Sequence, residues 1–269
     1  MAVHYFAVTG TGAADGSSRA DAQTASVANM NTAAASVGDG GTLYFETGTY
    51  SFNADQAFRK GVIYESIEPF GAVFDKGTTT VSILYLGTSS NTAATTIKGI
   101  SFVNFRAYNQ APTGFATVLD GVKIEWDTPS NITYGIINTQ NKELDVRNSV
   151  FIPNFSDVDP LFDGSGTNFS LTSSSIFVKA SGVSANGITV ATADIPSTLK
   201  NCIFKSDTSS AIGASLSSSA TNCCFHDFGS NNTSGGTNNV FEDPQFVDFS
   251  TGDLRLRPTS PCIGAGTAS

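Results

Sequence analysis

Charge is scarce in this chain: Asp, Glu, Lys and Arg make up only 14% of its 269 residues. It holds two histidines, four cysteines and one tryptophan. Each shortage argues against something. With His4 and His226 alone, and no Cys-x-x-Cys pair, a zinc site lacks ligands. Lys and Arg number 14 against 23 Asp and Glu, a net charge of −9. A chain so acidic is not expected to hold a phosphate backbone, so no nucleic-acid partner is expected. No apolar run approaches the roughly 18 residues that cross a bilayer, so no membrane insertion is expected. Met1 to Val8 lack the basic start and long apolar stretch of a secretory signal. The expectation is an extracellular protein whose signal has been removed, or one released by lysis, as virion proteins are.

What is present is a six-residue pattern: apolar, any residue, Gly or Asn, two more residues, then an apolar residue, often Phe. It runs Ile97-Lys98-Gly99-Ile100-Ser101-Phe102, then Leu119 to Ile124, Val146 to Phe151, a degenerate Thr172 to Phe177, Leu199 to Phe204 and Ala220 to Phe225. The starts lie roughly 21 to 27 residues apart, the spacing of a solenoid. Each unit holds short apolar strands broken by Gly, Asn, Ser and Thr, with no helical period. Strand-only coils of this length predict a parallel β-helix, stacked at about 4.8 Å per coil with like side chains in ladders. The prediction points Ile97, Leu119, Val146, Leu199, Phe102, Phe151, Phe177, Phe204 and Phe225 inward.

The third slot, Gly99, Gly121, Asn148, Asn201 and Asn222, is expected to be left-handed backbone, which Gly and Asn tolerate. The second slot reads Lys98, Asp120, Arg147, Thr172, Lys200 and Thr221. Its alternating signs predict an ion-pair ladder on the surface. Cys202 and Cys223 share the fourth slot of successive repeats and should stack, either as a disulfide or, preferred here, as free buried thiols. No pairing is assigned to Cys224 or Cys262.

In chain order, residues 3–9 alternate as a strand. Ala20 to Val37 reads as the one helix, capped by Asp21 and ended by Gly38. Strand and helix, residues 1–38, would cap the open end of the solenoid, where bare strand edges invite pairing. Coils are expected over 39–242, and a terminal coil with a C-terminal cap over 243–269.

The stretches Tyr5–Ser18 and Gly38–Tyr50, with Asp243-Pro244-Gln245-Phe246-Val247-Asp248 and Gly252–Gly266, resemble the capped start and closing coil of right-handed parallel β-helix proteins of the pectate-lyase-like superfamily. With the repeats between them, the resemblance spans nearly the whole chain. It implies an all-β, right-handed solenoid, in a superfamily that includes polysaccharide lyases, glycoside hydrolases, adhesins and phage tailspikes. Fold alone does not decide among them. The Asn-Thr-Asp, Asp-Asp, Gly-His-Gly and Arg-Ile-Lys motifs of its polygalacturonase-like members are missing. So are the Trp-Ile-Asp-His and Arg-x-Pro-x-x-Arg signatures of its commoner pectate lyases.

For uronate cleavage the chain offers Lys98 and Arg147 as charge neutraliser or base. Trp126, Tyr134 and Tyr108 are candidates for stacking on sugar rings. Asp157, Asp159 and Asp163 are the better calcium candidates, ahead of Asp243, Asp248 and Asp253, although Asp-Pro turns explain part of both groups. No other cofactor is expected. The expectation is a non-catalytic structural or adhesive β-helix on a phage virion, as spike, fibre or capsid decoration. Its partners would be other virion proteins or its own copies, as a homo-oligomer up to a trimer, and cell-surface polysaccharide. The alternative is a secreted polysaccharide lyase or glycoside hydrolase.

Overall fold

A computed structural model describes residues 1–52, 56–58, 61–76, 82–86, 93–109, 115–125, 136–138, 143–152, 162–164, 169–178, 198–210, 220–228, 236–249 and 253–266. Apart from Val3–Ala7 with Gln23–Thr24 and Phe246–Asp248 with Asp253–Leu256, successive short strands do not pair with their chain neighbours. Each pairs in parallel with its counterpart one coil away. Among the described residues three parallel sheets result. Sheet 1 has ten strands, from Gln23–Thr24 and Val3–Ala7 through Thr95–Lys98 and Leu144–Arg147 to Ala220–Thr221. Sheet 2 has eight, from Gly48–Ser51 to Cys224–Phe228, and sheet 3 has five, from Gln56–Phe58 to Phe162–Gly164. The chain is therefore a parallel β-helix, as the repeats and the resemblance led one to expect.

The repeat sits where sheet 1 turns into sheet 2. Its third slot is left-handed in every copy, with φ of 65° at Gly99, 61° at Gly121, 52° at Asn148, 56° at Asn201 and 54° at Asn222. The fourth slot points inward and solves a second problem. A buried turn leaves backbone N–H groups that must find acceptors. The N–H of Val122 donates to Ser149 Oγ at 3.2 Å and that of Ser149 to Ser174 Oγ at 3.1 Å. Further along, the N–H of Cys202 donates to Cys223 Sγ at 3.4 Å and that of Cys223 to Asn239 Oδ1 at 2.9 Å. Cys202 and Cys223 are free and buried, so the stacked thiols serve this ladder. Burial pushes the Cys202 thiol well above its usual range, which keeps it protonated.

The interior is lined by the first and sixth slots. Ile97, Leu119, Val146 and Leu199 form one ladder, and Phe102, Phe151, Phe204 and Phe225 lie in the other, all buried. Phe177 does not join them. Strand register sets Phe151 and Phe204 beside Ile176, and Phe177 beside Lys205. The fourth copy is Leu171-Thr172-Ser173-Ser174-Ser175-Ile176, one residue earlier than the sequence pattern suggests, with Ser173 at φ 48°. Side chains in a strand alternate faces, so a slip of one turns Phe177 outward. It is nevertheless fully buried, against Phe246 at 5.0 Å and Phe249 at 5.6 Å between ring centres.

Those rings belong to the C-terminal segment. Parallel contacts end at the isolated bridges Thr221↔Thr237 and Cys224↔Val240. Beyond them Phe246–Asp248 and Asp253–Leu256 pair antiparallel instead of adding a coil to the stack. With Phe249, Leu254 and Leu256 they cover the outer face of sheet 2 at Val150, Ile152, Phe177 and Ile203. Lys205 anchors the segment through Asp243 at 2.9 Å and lies 5.3 Å from the Phe249 ring centre. A disulfide joins Cys224 to Cys262.

The N-terminal cap also differs in detail. The helix spans Val27–Val37, not Ala20 to Val37, and Ser26 caps it, accepting from the N–H of Asn29 at 3.1 Å. Asp21 is engaged elsewhere, accepting from Ala13 N–H and Ser18 Oγ–H. Gln23–Thr24 then pairs with Phe6 and Ala7 at the sheet edge, which extended backbone alone can do. Gly38, at φ 69°, ends the helix. The edge strand is only two residues long, which leaves little for another chain to pair with. Deleting residues 1–38 would strip Phe6 from Phe45 and bare the strand Thr42–Phe45. The truncated protein is expected to aggregate in light scattering. A soluble monomer with an unchanged melting temperature would count against the cap.

Candidate functional site

The second slot forms one straight row on the outer face of sheet 1. Strand register places Glu65, Lys98, Asp120, Arg147, Thr172, Lys200 and Thr221 on successive strands. In the six regular copies the left-handed third slot fixes where the coil turns, so each second slot meets the same face; Glu65, followed by Ser66, joins them by strand register. Tyr5 and Tyr44 continue it toward the N-terminal cap, with rings 5.3 Å apart and 22° from parallel.

Four of the charges in the row are engaged by one another. Lys98 Nζ lies 2.7 Å from Glu65 Oε1, and Arg147 Nε 3.2 Å from Asp120 Oδ2. Asp120 also accepts from Asn148 Nδ2 at 2.9 Å, and Arg147 reaches Asp145 at 3.7 Å. The hydrogen bond to Glu65 raises the Lys98 ammonium above its ordinary range, against the small opposing effect of burial. That direction matters chemically. A lysine that takes a proton from carbon must titrate near neutrality, so its pKa has to fall. Arg147 cannot act as base, since guanidinium does not lose its proton in proteins. In this geometry either cation attracts an anionic ligand in competition with a carboxylate already in place.

Glu65 was not visible as a partner from the sequence. It precedes the regular copies, and only strand register shows it beside Lys98. Its signal was weak but present: Tyr64-Glu65-Ser66 has the alternation of the later strands.

The remaining candidates fall outside the described residues or on other segments. Trp126, Tyr134, Asp157 and Asp159 lie outside the described residues. Tyr108 falls on the sheet 3 strand Phe105–Asn109, with backbone partners Tyr85 and Ile137, and Asp163 on Phe162–Gly164 beside Ile137. The side chains of these two lie outside the described set. Asp243 is drawn toward Lys205 and the Gln245 N–H. Asp253 is held by Arg255 at a pKa of about 2. Among the described residues no three His, Cys, Asp or Glu side chains gather closely enough to hold a metal ion.

No family model matches the chain. No curated protein matches it either. Among solved structures it is similar to one described as the crystal structure of pectate lyase Pel9A, at 14% sequence identity and a TM-score of 0.40. The alignment covers 100% of this chain and 92% of that one.

Proposed function

We propose that this chain is a non-catalytic structural or adhesive β-helix, displayed outside the cell on a virion as a spike, fibre or capsid decoration, where it meets surface polysaccharide. The observation that carries the non-catalytic part of the reading is the Lys98–Glu65 pair at 2.7 Å. It occupies the ammonium with a carboxylate and moves its pKa away from that of a base. The Asp120–Arg147 pair likewise occupies the other cation with a carboxylate. Cleavage of a uronate needs a base and a charge stabiliser converging within about 3 Å of one reacting centre. The Cys224–Cys262 bond agrees with oxidising surroundings outside a cell.

The test is incubation with a panel of uronate-containing polysaccharides, following ultraviolet absorbance of unsaturated products and new reducing ends. Both are expected to stay at the level of buffer, while affinity electrophoresis in the same polysaccharides shows retardation. Turnover by the wild type that vanishes in Lys98→Ala or Arg147→Ala would make those residues an active site and the chain a lyase.

A further inference from the structure

We propose that the outer face of sheet 1 is a two-fold interface between two copies of this chain, packed face to face with their coil axes antiparallel. The inference goes beyond the proposed function, because a lyase and a virion protein can dimerise in the same way.

The reason is the order of charge. Glu65, Lys98, Asp120 and Arg147 occupy consecutive strands and read minus, plus, minus, plus. Their sum is zero in a chain whose net charge is −9. Two copies of so acidic a protein repel over most of their surfaces, and a neutral face is where they can meet. Reversed end to end, the row reads plus, minus, plus, minus. A two-fold axis lying along the strands, between Thr95–Lys98 and Thr117–Asp120, therefore sets each of these four charges against its opposite, while Asp145 on the same face keeps Arg147 as its own partner and stands opposite the second copy's Ile63. Lys98 faces the second copy's Asp120, and Glu65 faces the second copy's Arg147.

The match continues outward. Tyr5 lies two strands beyond Glu65, and Lys200 two strands beyond Arg147. The same axis brings the Lys200 ammonium over the second copy's Tyr5 ring, a cation–π arrangement. At the centre the neighbouring outward residues are Thr96 and Val118, both small enough for two sheets to pack at about 10 Å. A parallel pair related by an axis along the coils would instead set Lys98 against Lys98 and Glu65 against Glu65. Both cations are half exposed, 50% for the Lys98 side chain and 46% for Arg147, so each can take a second carboxylate without losing the first.

Sedimentation of the wild type is expected to show a mass rising from 27.9 kDa toward twice that with concentration, and falling back with added salt. The double variant Lys98→Glu with Arg147→Glu makes the four central positions wholly acidic, and Glu65→Lys with Asp120→Lys makes them wholly basic. Each alone should dimerise about a hundredfold more weakly, since like charges then face each other. Mixed in equal amounts, the two should form a heterodimer. Exchanging all four residues keeps the inverted order and should restore the homodimer. Circular dichroism melting confirms that each variant is folded. If the wholly basic variant does not fold, the wholly acidic and fourfold variants carry the test. A wild type monomeric at every concentration, a trimer, a double variant with undiminished dimer, or a folded mixture that stays monomeric would each overturn the proposal. None of these readings depends on the turnover assay.

Discussion

Phe204→Ala is expected to lower the free energy of unfolding by about 3–5 kcal/mol, the range for removing a buried aromatic ring. Phe204 is fully buried and stacks on Phe225 at 4.9 Å between ring centres, with planes 10° apart. Strand register puts Ile176 on its other side. In a solenoid each coil rests on its two neighbours, so the cavity opens between three coils and no loop can fold in to fill it. The change is read from urea denaturation followed by circular dichroism. A loss below about 1 kcal/mol would mean that the sixth slot is loosely packed, and the ladder would have to be redrawn.

Cys262→Ser, or mild reduction of the wild type, is expected to cost about 3–4 kcal/mol in a chain-entropy account of the loop it closes. The bond joins residues 38 apart in sequence, from the last described strand of sheet 2 to the C-terminal segment. The segment also holds by its own contacts, with Phe246, Leu254 and Leu256 covering Ile152, Phe177 and Ile203. Reduction should therefore first loosen residues 243–266, seen as faster proteolysis there, before the coils unfold. Thiol titration of the untreated, denatured protein should count two free cysteines, Cys202 and Cys223. Four free thiols, or a melting temperature indifferent to reductant, would remove the disulfide from the account.

Much of the coil was legible because its cause is local. The third slot demanded left-handed backbone, and Gly or Asn answered it in five copies. Ser173 answered it in a sixth, where the pattern was too weak to align. There Ile176 and Phe177 are adjacent and both apolar, so either can serve as the inward residue. Phe is the larger and matches the other copies, which is why the sequence reading slipped by one. Two adjacent apolar residues in a strand are themselves a sign that both faces are covered. The helix start was misplaced for a related reason: Asp21 and Ser26 both satisfy the rule for a cap. Only the pairing of Gln23–Thr24 with Phe6 and Ala7 decides between them.

Of the candidate site, the alternating signs of Lys98, Asp120 and Arg147 were readable, and with them the Asp120–Arg147 pair at 3.2 Å. The partner of Lys98 was not. Glu65 lies 33 residues before it, across a coil of irregular length.

By itself, then, the sequence determined the parallel β-helix, the left-handed turn between sheets 1 and 2 and the ladder of charge. All three repeat from coil to coil, and a feature that depends only on stacked neighbours leaves a period in the chain. Tertiary structure alone decided that the C-terminal segment lies on sheet 2, that Phe177 packs beneath it, that Cys224 takes Cys262 and that Lys98 takes Glu65. Each of these occurs once. Each joins residues whose separation follows from loop lengths and docking, and a contact made once leaves no repeat to read.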